Sequence, residues 1–178
     1  MKNYKAIGLM SGTSCDGLDI VYCEFVFHTE WKYKILQSKM VEYSLNFQEK
    51  LKNAFKLSKS ELDEFDIELG QFFGQETKKF IEENKLTDVD FVASHGHTIF
   101  HQPDKGFTLQ IGNGKEIKNL VQIPVINNVR IADVAKGGQG APLVPIGDEL
   151  LFSEYDYCVN IGGIANASFI ENGVRKAF

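Results

Sequence analysis

Alternating apolar and polar residues at the start of the chain predict three consecutive strands. They cover residues 5–10, 19–28 and 32–44, with a polar turn after the first and a short connection at 29–31. In the second run both alternating faces are largely apolar, which is typical of a strand covered on two sides. The pattern therefore predicts three strands in series, of which the second is central.

The spacing of apolar residues then becomes helical. A first helix is expected from about residue 46 to about 55, and a longer one from Ser60, whose hydroxyl would cap it. The longer helix carries an aromatic stripe, for which core packing is a better explanation than a cofactor-binding role. The stripe consists of Leu62, Phe65, Leu69, Phe72, Phe73, Phe80 and Ile81.

Short strands and helices alternate in the remainder of the chain. Strands are predicted at residues 88–94, 107–111, 125–126, 155–161 and 165–170, and helices at 115–120 and 145–152. Strands in series followed by this alternation indicate an α/β fold. The last hairpin is expected to begin a second domain, and the sequence looks cut off directly after it.

Composition and charge narrow the class of protein. The chain has 178 residues, enough to bury a core, with 43% hydrophobic and 24% charged residues. A net charge of −5 without a basic block argues against a nucleic-acid partner, and no apolar run is long enough to predict a membrane span. Three cysteines without metal-ligand spacing, and no signal-peptide pattern, favour a reducing cytoplasm.

The turn between the first two predicted strands concentrates groups that bind anions. Residues 11–19 hold two glycines, three hydroxyls and two carboxylates. Glycine lets backbone N–H groups approach an anion, and hydroxyls add donors. Asp16 and Asp19 could hold a hydrated divalent cation or orient a water molecule. An ordinary polar hairpin turn has the same content, so both interpretations stay open at this point.

Histidines follow the predicted strand at residues 88–94. His95 and His97 would share one face of an extended segment, and His101 is close, an arrangement that would suit a metal ion. No cysteine or carboxylate stands at a defining spacing beside them. We therefore favour a polar strand end that lines a pocket, in which His95 or His97 donates a hydrogen bond to a substrate.

A carboxylate and a glycine-rich segment come next. Arg130 could hold a carboxylate or a phosphate, and Gln139 could bond hydroxyl or amide groups. Asp133 lies between them and is a candidate general base. The alternative is a helix carboxylate followed by a glycine-rich linker, and local content does not decide between the two.

A second glycine turn lies at residues 160–166. Its backbone amides could contact a polyphosphate, so that two such turns would hold a nucleotide from both sides of a cleft. Neither a Walker-type phosphate loop nor the G-x-G-x-x-G pattern of dinucleotide-binding folds is present. The absence of these motifs argues against both of those classes of nucleotide-binding protein.

In combination, these segments resemble the anhydro-N-acetylmuramic acid kinase family of bacterial cell-wall recycling. The matching segments, in family order, are residues 8–14 with Asp16, Gly17 and Asp19, then 94–96 with Thr98, then 108–112, then Arg130 with 133–145, and 160–166. Each motif is weak alone, but the ordered set covers nearly the whole chain and is specific.

The resemblance implies an actin-like, sugar-kinase type of α/β fold with ribonuclease H-like lobes and a mixed five-stranded sheet flanked by helices. Residues 1–128 would form the N-terminal ATPase lobe and residues 129–178 the beginning of a second lobe. ATP with Mg²⁺ would phosphorylate O6 of 1,6-anhydro-N-acetylmuramic acid while water opens the anhydro ring. The enzyme would be a homodimer that acts on this small sugar, with an alcohol group as acceptor.

The resemblance also implies residue roles. Asp133 would activate the attacking water, and no direct metal ligand is assigned. The sugar would contact His95, His97, Arg130, Gly138 and Gln139. The nucleotide would contact Gly12, Thr13, Ser14, Cys15, Asp16, Gly17, Leu18, Asp19, Asn160, Gly162 and Gly163.

The chain departs from the family pattern at a few positions. His97 stands where Gln is usual, Asn128 and Val129 stand where Asp-Phe is usual, and Asn113 replaces a common Asp. Family members are also about twice as long, so the isolated chain is expected to lack most of the second lobe and to be inactive. The alternative is a non-catalytic kinase-like fragment that acts as a binding or scaffold module.

Overall fold

A computed structural model of the chain describes residues 2–140, 143–161 and 165–177. Within these residues two sheets carry the fold, one of six strands and one of three. The larger sheet contains β1 (Lys2–Ser11), β2 (Gly17–Phe27), β3 (Trp31–Glu42), β4 (Phe91–Gln102), β5 (Phe107–Ile111) and β6 (Val125–Ile126). The smaller sheet contains β7 (Tyr157–Asn160), β8 (Asn166–Glu171) and β9 (Val174–Ala177).

Helices connect and cover these strands. They are α1 (Leu45–Asn53), α2 (Lys59–Glu83), α3 (Gly114–Val121), α4 (Ile131–Val134) and α5 (Leu143–Leu151), with 3₁₀ turns at Ala54–Lys56 and Pro103–Lys105. The α/β class predicted from the sequence is therefore confirmed.

The larger sheet is mixed, as expected. Its order is β3-β2-β1-β4-β5, in which β1 pairs with β4 in parallel and the other neighbours are antiparallel. The two-residue β6 adds a sixth strand, because it pairs in parallel with the first half of β4 while β5 pairs with the second half. β1, β4 and β6 consequently run in the same direction, as does β3 on the far side of β2.

The hydrophobic core lies between one face of this sheet and helices α1, α2 and α3. Ile7, Leu18 and Ile20 from the strands meet Phe65 and Phe73 of α2, and all five side chains are almost fully buried. The aromatic stripe of α2 is therefore core packing, as predicted, and its burial accounts for the stability of so long a helix.

The second strand is covered less completely than predicted. It lies between β1 and β3, and its Leu18, Ile20 and Tyr22 are buried in the core. On the opposite face, Val21 and Phe25 are only partly buried. Helix α5 borders that face beside Phe25, and Cys23 on the same face is buried, so the strand is central in the sheet but covered less completely on this side than on the core side.

Two strands differ from the sequence-based prediction. β4 continues to Gln102 instead of ending near residue 94, because Gly96 adopts a φ of +73° that keeps the chain in the sheet through a bulge. β9 was not predicted at all. It follows β8 through Asn172 and Gly173, both at positive φ, which is the two-residue Asn-Gly turn that favours tight hairpins.

The long helix begins two residues earlier than predicted. Ser58, not Ser60, is the N-cap: its hydroxyl accepts a hydrogen bond from the Glu61 amide, and the Glu61 carboxylate accepts one from the Ser58 amide. This reciprocal capping box satisfies two backbone donors that would otherwise lack partners at the helix start.

We predict that Ser58→Ala lowers the free energy of unfolding by about 1 kcal/mol, because it removes the cap of the helix that carries the core stripe. Ser60→Ala is the matched control, since Ser60 is exposed inside the helix. Urea unfolding of the two variants measures the difference. An equal loss in both, or a larger loss for Ser60→Ala, would contradict the capping assignment.

Candidate active site at the carboxyl ends of the parallel strands

Three segments with chemical content leave the sheet at the same edge. The turn at residues 12–16 follows β1, His95 lies at the bulge near the end of the parallel pairing of β4 with β1, and Arg130 follows β6. Because β1, β4 and β6 are parallel, their carboxyl ends meet, and α/β sheets bind ligands outside such ends. The topology therefore brings the candidates of the sequence analysis together.

The turn after β1 exposes several donors and carboxylates. The Cys15 amide donates to the Gly12 carbonyl at 3.1 Å and closes the turn. The Ser14 hydroxyl donates to Asp16 Oδ1 at 2.6 Å, and this bond lowers the pKa of the Asp16 carboxyl below its ordinary value. Thr13, Ser14 and Asp16 are exposed, so their polar groups are open to a ligand.

Other members of the predicted nucleotide set are buried. The side chain of Leu18 belongs to the core, and Cys15 and Gly17 are also shielded from solvent. A nucleotide contact from these three residues would therefore have to come from the backbone. Asp19, in contrast, is exposed at the beginning of β2.

His95 and Arg130 form a fixed pair. Arg130 Nε donates to His95 Nε2 at 2.9 Å, which requires that nitrogen to be unprotonated. The other ring nitrogen, Nδ1, lies 3.1 Å from the Gly96 carbonyl and carries the proton. Burial, and secondarily the Arg130 charge, lowers the pKa of His95, so the ring is held neutral in one tautomer.

The glycine-rich segment wraps around Asp133. The Gly140 amide donates to Asp133 Oδ2 at 2.7 Å, and Arg130 donates to the Gly140 carbonyl. A Cβ atom at Gly138 would overlap the Asp133 carboxylate, so a side chain there would have to displace that carboxylate. Among the described residues, Oδ1 has no hydrogen-bond partner, which leaves one carboxylate oxygen available to accept a proton.

A shallow cleft of about 290 Å³ lies on the sheet beside these segments. Asp19 from the end of the first turn, His95, and Val129 next to Arg130 all border it. The exposed Gln139 lies in the segment around Asp133. Asp19, which follows the first turn, and Val129, which precedes Arg130, thus border the same cleft.

The histidines do not share one environment, and the prediction that His95 and His97 lie on the same face is wrong. The positive φ of Gly96 breaks the strand alternation, so His97 contacts Ser11 and Cys15 while His95 contacts Arg130. Among the described residues no group of three or more histidine, cysteine or acidic side chains could hold a metal ion.

The second glycine turn is described only in part. Asn160 is exposed at the end of β7. Gly162 and Gly163 lie outside the described residues, so the expectation of two facing turns stays a prediction. In the part of the chain that the structure describes, every helix is too short or too polar to cross a membrane.

Sequence reasoning missed Tyr43, whose hydroxyl donates to Ser11 Oγ beneath the first turn at 2.8 Å. No local motif marks this tyrosine. Its contact arises from the pairing of β3 with β2, which returns the chain to the turn after 32 residues.

A model of the family described as anhydro-N-acetylmuramic acid kinase matches residues 4–177. That range includes the first turn, the His95–Arg130 pair and Asp133. The chain belongs to the anhydro-N-acetylmuramic acid kinase family. The resemblance inferred from the ordered motifs is confirmed.

Relatives named anhydro-N-acetylmuramic acid kinase align with nearly the whole chain. The protein of Colwellia psychrerythraea is 40% identical over 174 residues, covering 92% of this chain and 44% of the relative. That of Francisella tularensis subsp. novicida is 37% identical over 185 residues, covering 96% and 49%. The chain spans about half the length of the curated relatives it matches.

We predict that Gly138→Ala displaces the Asp133 carboxylate and breaks its bond to the Gly140 amide, because the added methyl group overlaps it. Hydrogen exchange at the Gly140 amide should accelerate about 10- to 150-fold, since bonds to charged groups contribute about 1.5–3 kcal/mol. Gly147→Ala is the control, because a Cβ atom there meets open space. Unchanged Gly140 exchange in Gly138→Ala would contradict the wrapped-carboxylate geometry.

Proposed function

We propose that this chain supplies the phosphate-binding turn and the catalytic base of a kinase that uses ATP to convert 1,6-anhydro-N-acetylmuramic acid into N-acetylmuramic acid 6-phosphate. The proposal rests mainly on one observation. A donor-rich turn and a held carboxylate lie at the same edge of parallel strands in a chain of this family. The reaction would serve recycling of the bacterial cell wall.

The first turn suits the ATP phosphates. Thr13 offers an exposed hydroxyl donor, the Ser14 hydroxyl would have to turn away from Asp16 to donate to a phosphate, and Gly12 allows close approach of the backbone. Asn160, with Gly162 and Gly163, is proposed to contact the nucleotide from the smaller sheet. Phosphoryl transfer needs positioning and charge neutralisation more than covalent chemistry from the protein, which is what such a turn provides.

The residues present fit a phosphate-bound Mg²⁺ ion. Mg²⁺ prefers oxygen ligands, keeps several waters and usually takes only one or two carboxylates together with substrate phosphates. Asp16 and Asp19 are exposed carboxylates at the turn, and the Ser14 bond favours the ionised form of Asp16. They would hold the ion through its waters, and the ion would neutralise phosphate charge.

Asp133 is suited to act as the general base. Gly140 holds one of its oxygens, and the other would take a proton from the attacking water. The water oxygen bonds to C1 of the sugar, the C1–O6 bond breaks, and O6 receives the γ-phosphoryl group while ADP leaves. The strained bicyclic acetal and a positioned base both lower the barrier to attack by a weak nucleophile.

Arg130 would provide the positive charge for the acidic sugar. Two of its five N–H donors are used by His95 and the Gly140 carbonyl, which leaves three among the described contacts. Because His95 is neutral, the charge of the pair belongs to Arg130 alone and can face the sugar carboxylate. Gly138 and Gln139 line the same segment, where backbone and amide groups could bond sugar hydroxyls.

The proposed fold is the actin-like, sugar-kinase type. In chain order, the last strand of the six-stranded sheet ends at Ile126 and the first strand of the three-stranded sheet begins at Tyr157. This break supports an ATPase lobe over residues 1–128, with residues 129–178 as the beginning of a second lobe. A homodimer and a cytoplasmic location are proposed with the family assignment.

We predict that Asp133→Asn abolishes phosphorylation of the anhydro sugar while ATP affinity is kept. Asparagine can still accept the Gly140 bond through its oxygen, so the segment stays in place, but it cannot take the proton. The rate should fall about 10²- to 10⁴-fold, the contribution typical of a general base. ADP release by the full-length gene product, coupled to detection of the sugar phosphate, measures it.

Asp104→Asn is the matched control, because Asp104 is exposed in the 3₁₀ turn after β4. It should keep wild-type activity. Full activity in Asp133→Asn would refute the role of Asp133. An inactive wild type that still binds the sugar would favour the alternative of a binding module.

A further inference from the structure

A chain of buried polar contacts lies beneath the first turn. Tyr43 Oη donates to Ser11 Oγ at 2.8 Å, and Ser11 Oγ lies 3.0 Å from His97 Nδ1. On the other side of the ring, His97 Nε2 lies 3.9 Å from Cys15 Sγ, and that sulfur lies 3.6 Å from the Thr13 carbonyl. The side chains of Tyr43, Ser11, His97 and Cys15 are all at most 4% exposed.

The contacts fit one order of donors. Because Tyr43 donates to Ser11, the Ser11 hydroxyl proton is left to bond His97 Nδ1, and the neutral ring then carries its proton on Nε2. That proton faces the Cys15 sulfur, and the thiol proton faces the Thr13 carbonyl. Burial lowers the pKa of His97, so the ring is kept in the neutral form that this order requires.

The network ends on the most constrained residue of the turn. Cys15 has a φ of +55°, a left-handed conformation that is unfavourable for a residue with a Cβ atom. Its amide nevertheless closes the turn by donating to the Gly12 carbonyl. The surrounding structure must therefore hold Cys15 in place, and the imidazole of His97 is the polar group that reaches its side chain from the neighbouring strand.

The location of the His97 ring favours a supporting role over direct contact with a ligand. The ring is 3% exposed and lies under the turn, against Ser11 at the end of β1. His97 borders a small cavity together with Thr13 and Cys15 of the turn and Lys52 of α1. Both of its ring nitrogens nevertheless face Ser11 and Cys15, whereas the hydroxyls of Thr13 and Ser14 are exposed to solvent.

We propose that His97 is a positioning residue for the phosphate-binding turn. It connects Tyr43 and Ser11 to Cys15 and so keeps the amides of residues 12–15 in the geometry that receives ATP phosphates, without touching the nucleotide. This role differs from the sugar contact expected from the sequence, and it rests on the proposed function of the turn.

Variants at position 97 distinguish the contact of His97 with Ser11 from its contact with Cys15. His97→Leu removes both polar atoms while filling similar space. The longer amide side chain of His97→Gln reaches the position of the Nε2 atom and can donate a hydrogen bond to Cys15. The shorter amide side chain of His97→Asn reaches only the position of the Nδ1 atom, next to Ser11. His28→Leu is the control for loss of an exposed histidine.

Two measurements on the full-length gene product test the proposal. In His97→Leu, hydrogen exchange at the Cys15 amide should accelerate up to about thirtyfold, since two hydrogen bonds that contribute roughly 1 kcal/mol each are lost. The KM for ATP should rise about tenfold, whereas kcat and the KM for the sugar change less than twofold. His97→Gln should restore both values, and His97→Asn should not.

Several results would overturn the proposal. Unchanged Cys15 exchange and unchanged KM for ATP in His97→Leu would show that the turn needs no support from the ring. A rise in the KM for the sugar alone would make His97 a sugar contact. If His97→Leu fails to fold, equal Cys15 exchange in the Gln and Asn variants would refute the Nε2 contact. If the wild type binds no ATP, the proposed function fails and the positioning role for a phosphate turn falls with it, even where exchange responds.

Discussion

The parallel hydrogen bonding of β1, β4 and β6 is the constraint on which the site depends. These strands are far apart in the sequence, and their ladders alone place the turn at residues 12–16 beside His95 and Arg130. An antiparallel arrangement of the same strands would send these segments to opposite edges of the sheet. The core packing of α2 against one face then holds the strands in register while the edge stays open.

Two different physical devices fix the loops at that edge. Around Asp133 the device is steric, because the absence of a side chain at Gly138 lets the segment close over the carboxylate and bond it. Beneath the first turn it is polar, because His97 and its partners are buried and neutral. Both devices order backbone before a ligand arrives, which reduces the entropy cost of binding and catalysis.

Local sequence patterns predicted most of the architecture but few of its contacts. The spacing of apolar residues located strands β1 to β8 and the core stripe from Leu62 to Ile81, because burial of one face of an element requires apolar residues at that spacing. The Asn172–Gly173 turn was a readable local signal for β9 and was overlooked. The Ser58 cap and the passage of β4 through Gly96 depend on backbone geometry that single residues signal weakly. The Tyr43–Ser11 contact depends on strand pairing and has no local signal.

The placement of both ligands at this edge of the sheet can be tested by an amide NMR titration of the full-length gene product with ATP, Mg²⁺ and the anhydro sugar. We expect the chemical-shift changes caused by the nucleotide to concentrate on residues 12–19 and the second glycine turn, and those caused by the sugar on His95 and residues 130–140. Shifts that avoid this edge and cluster instead on the apolar face beside α5, or no shifts at saturating ligand, would contradict it.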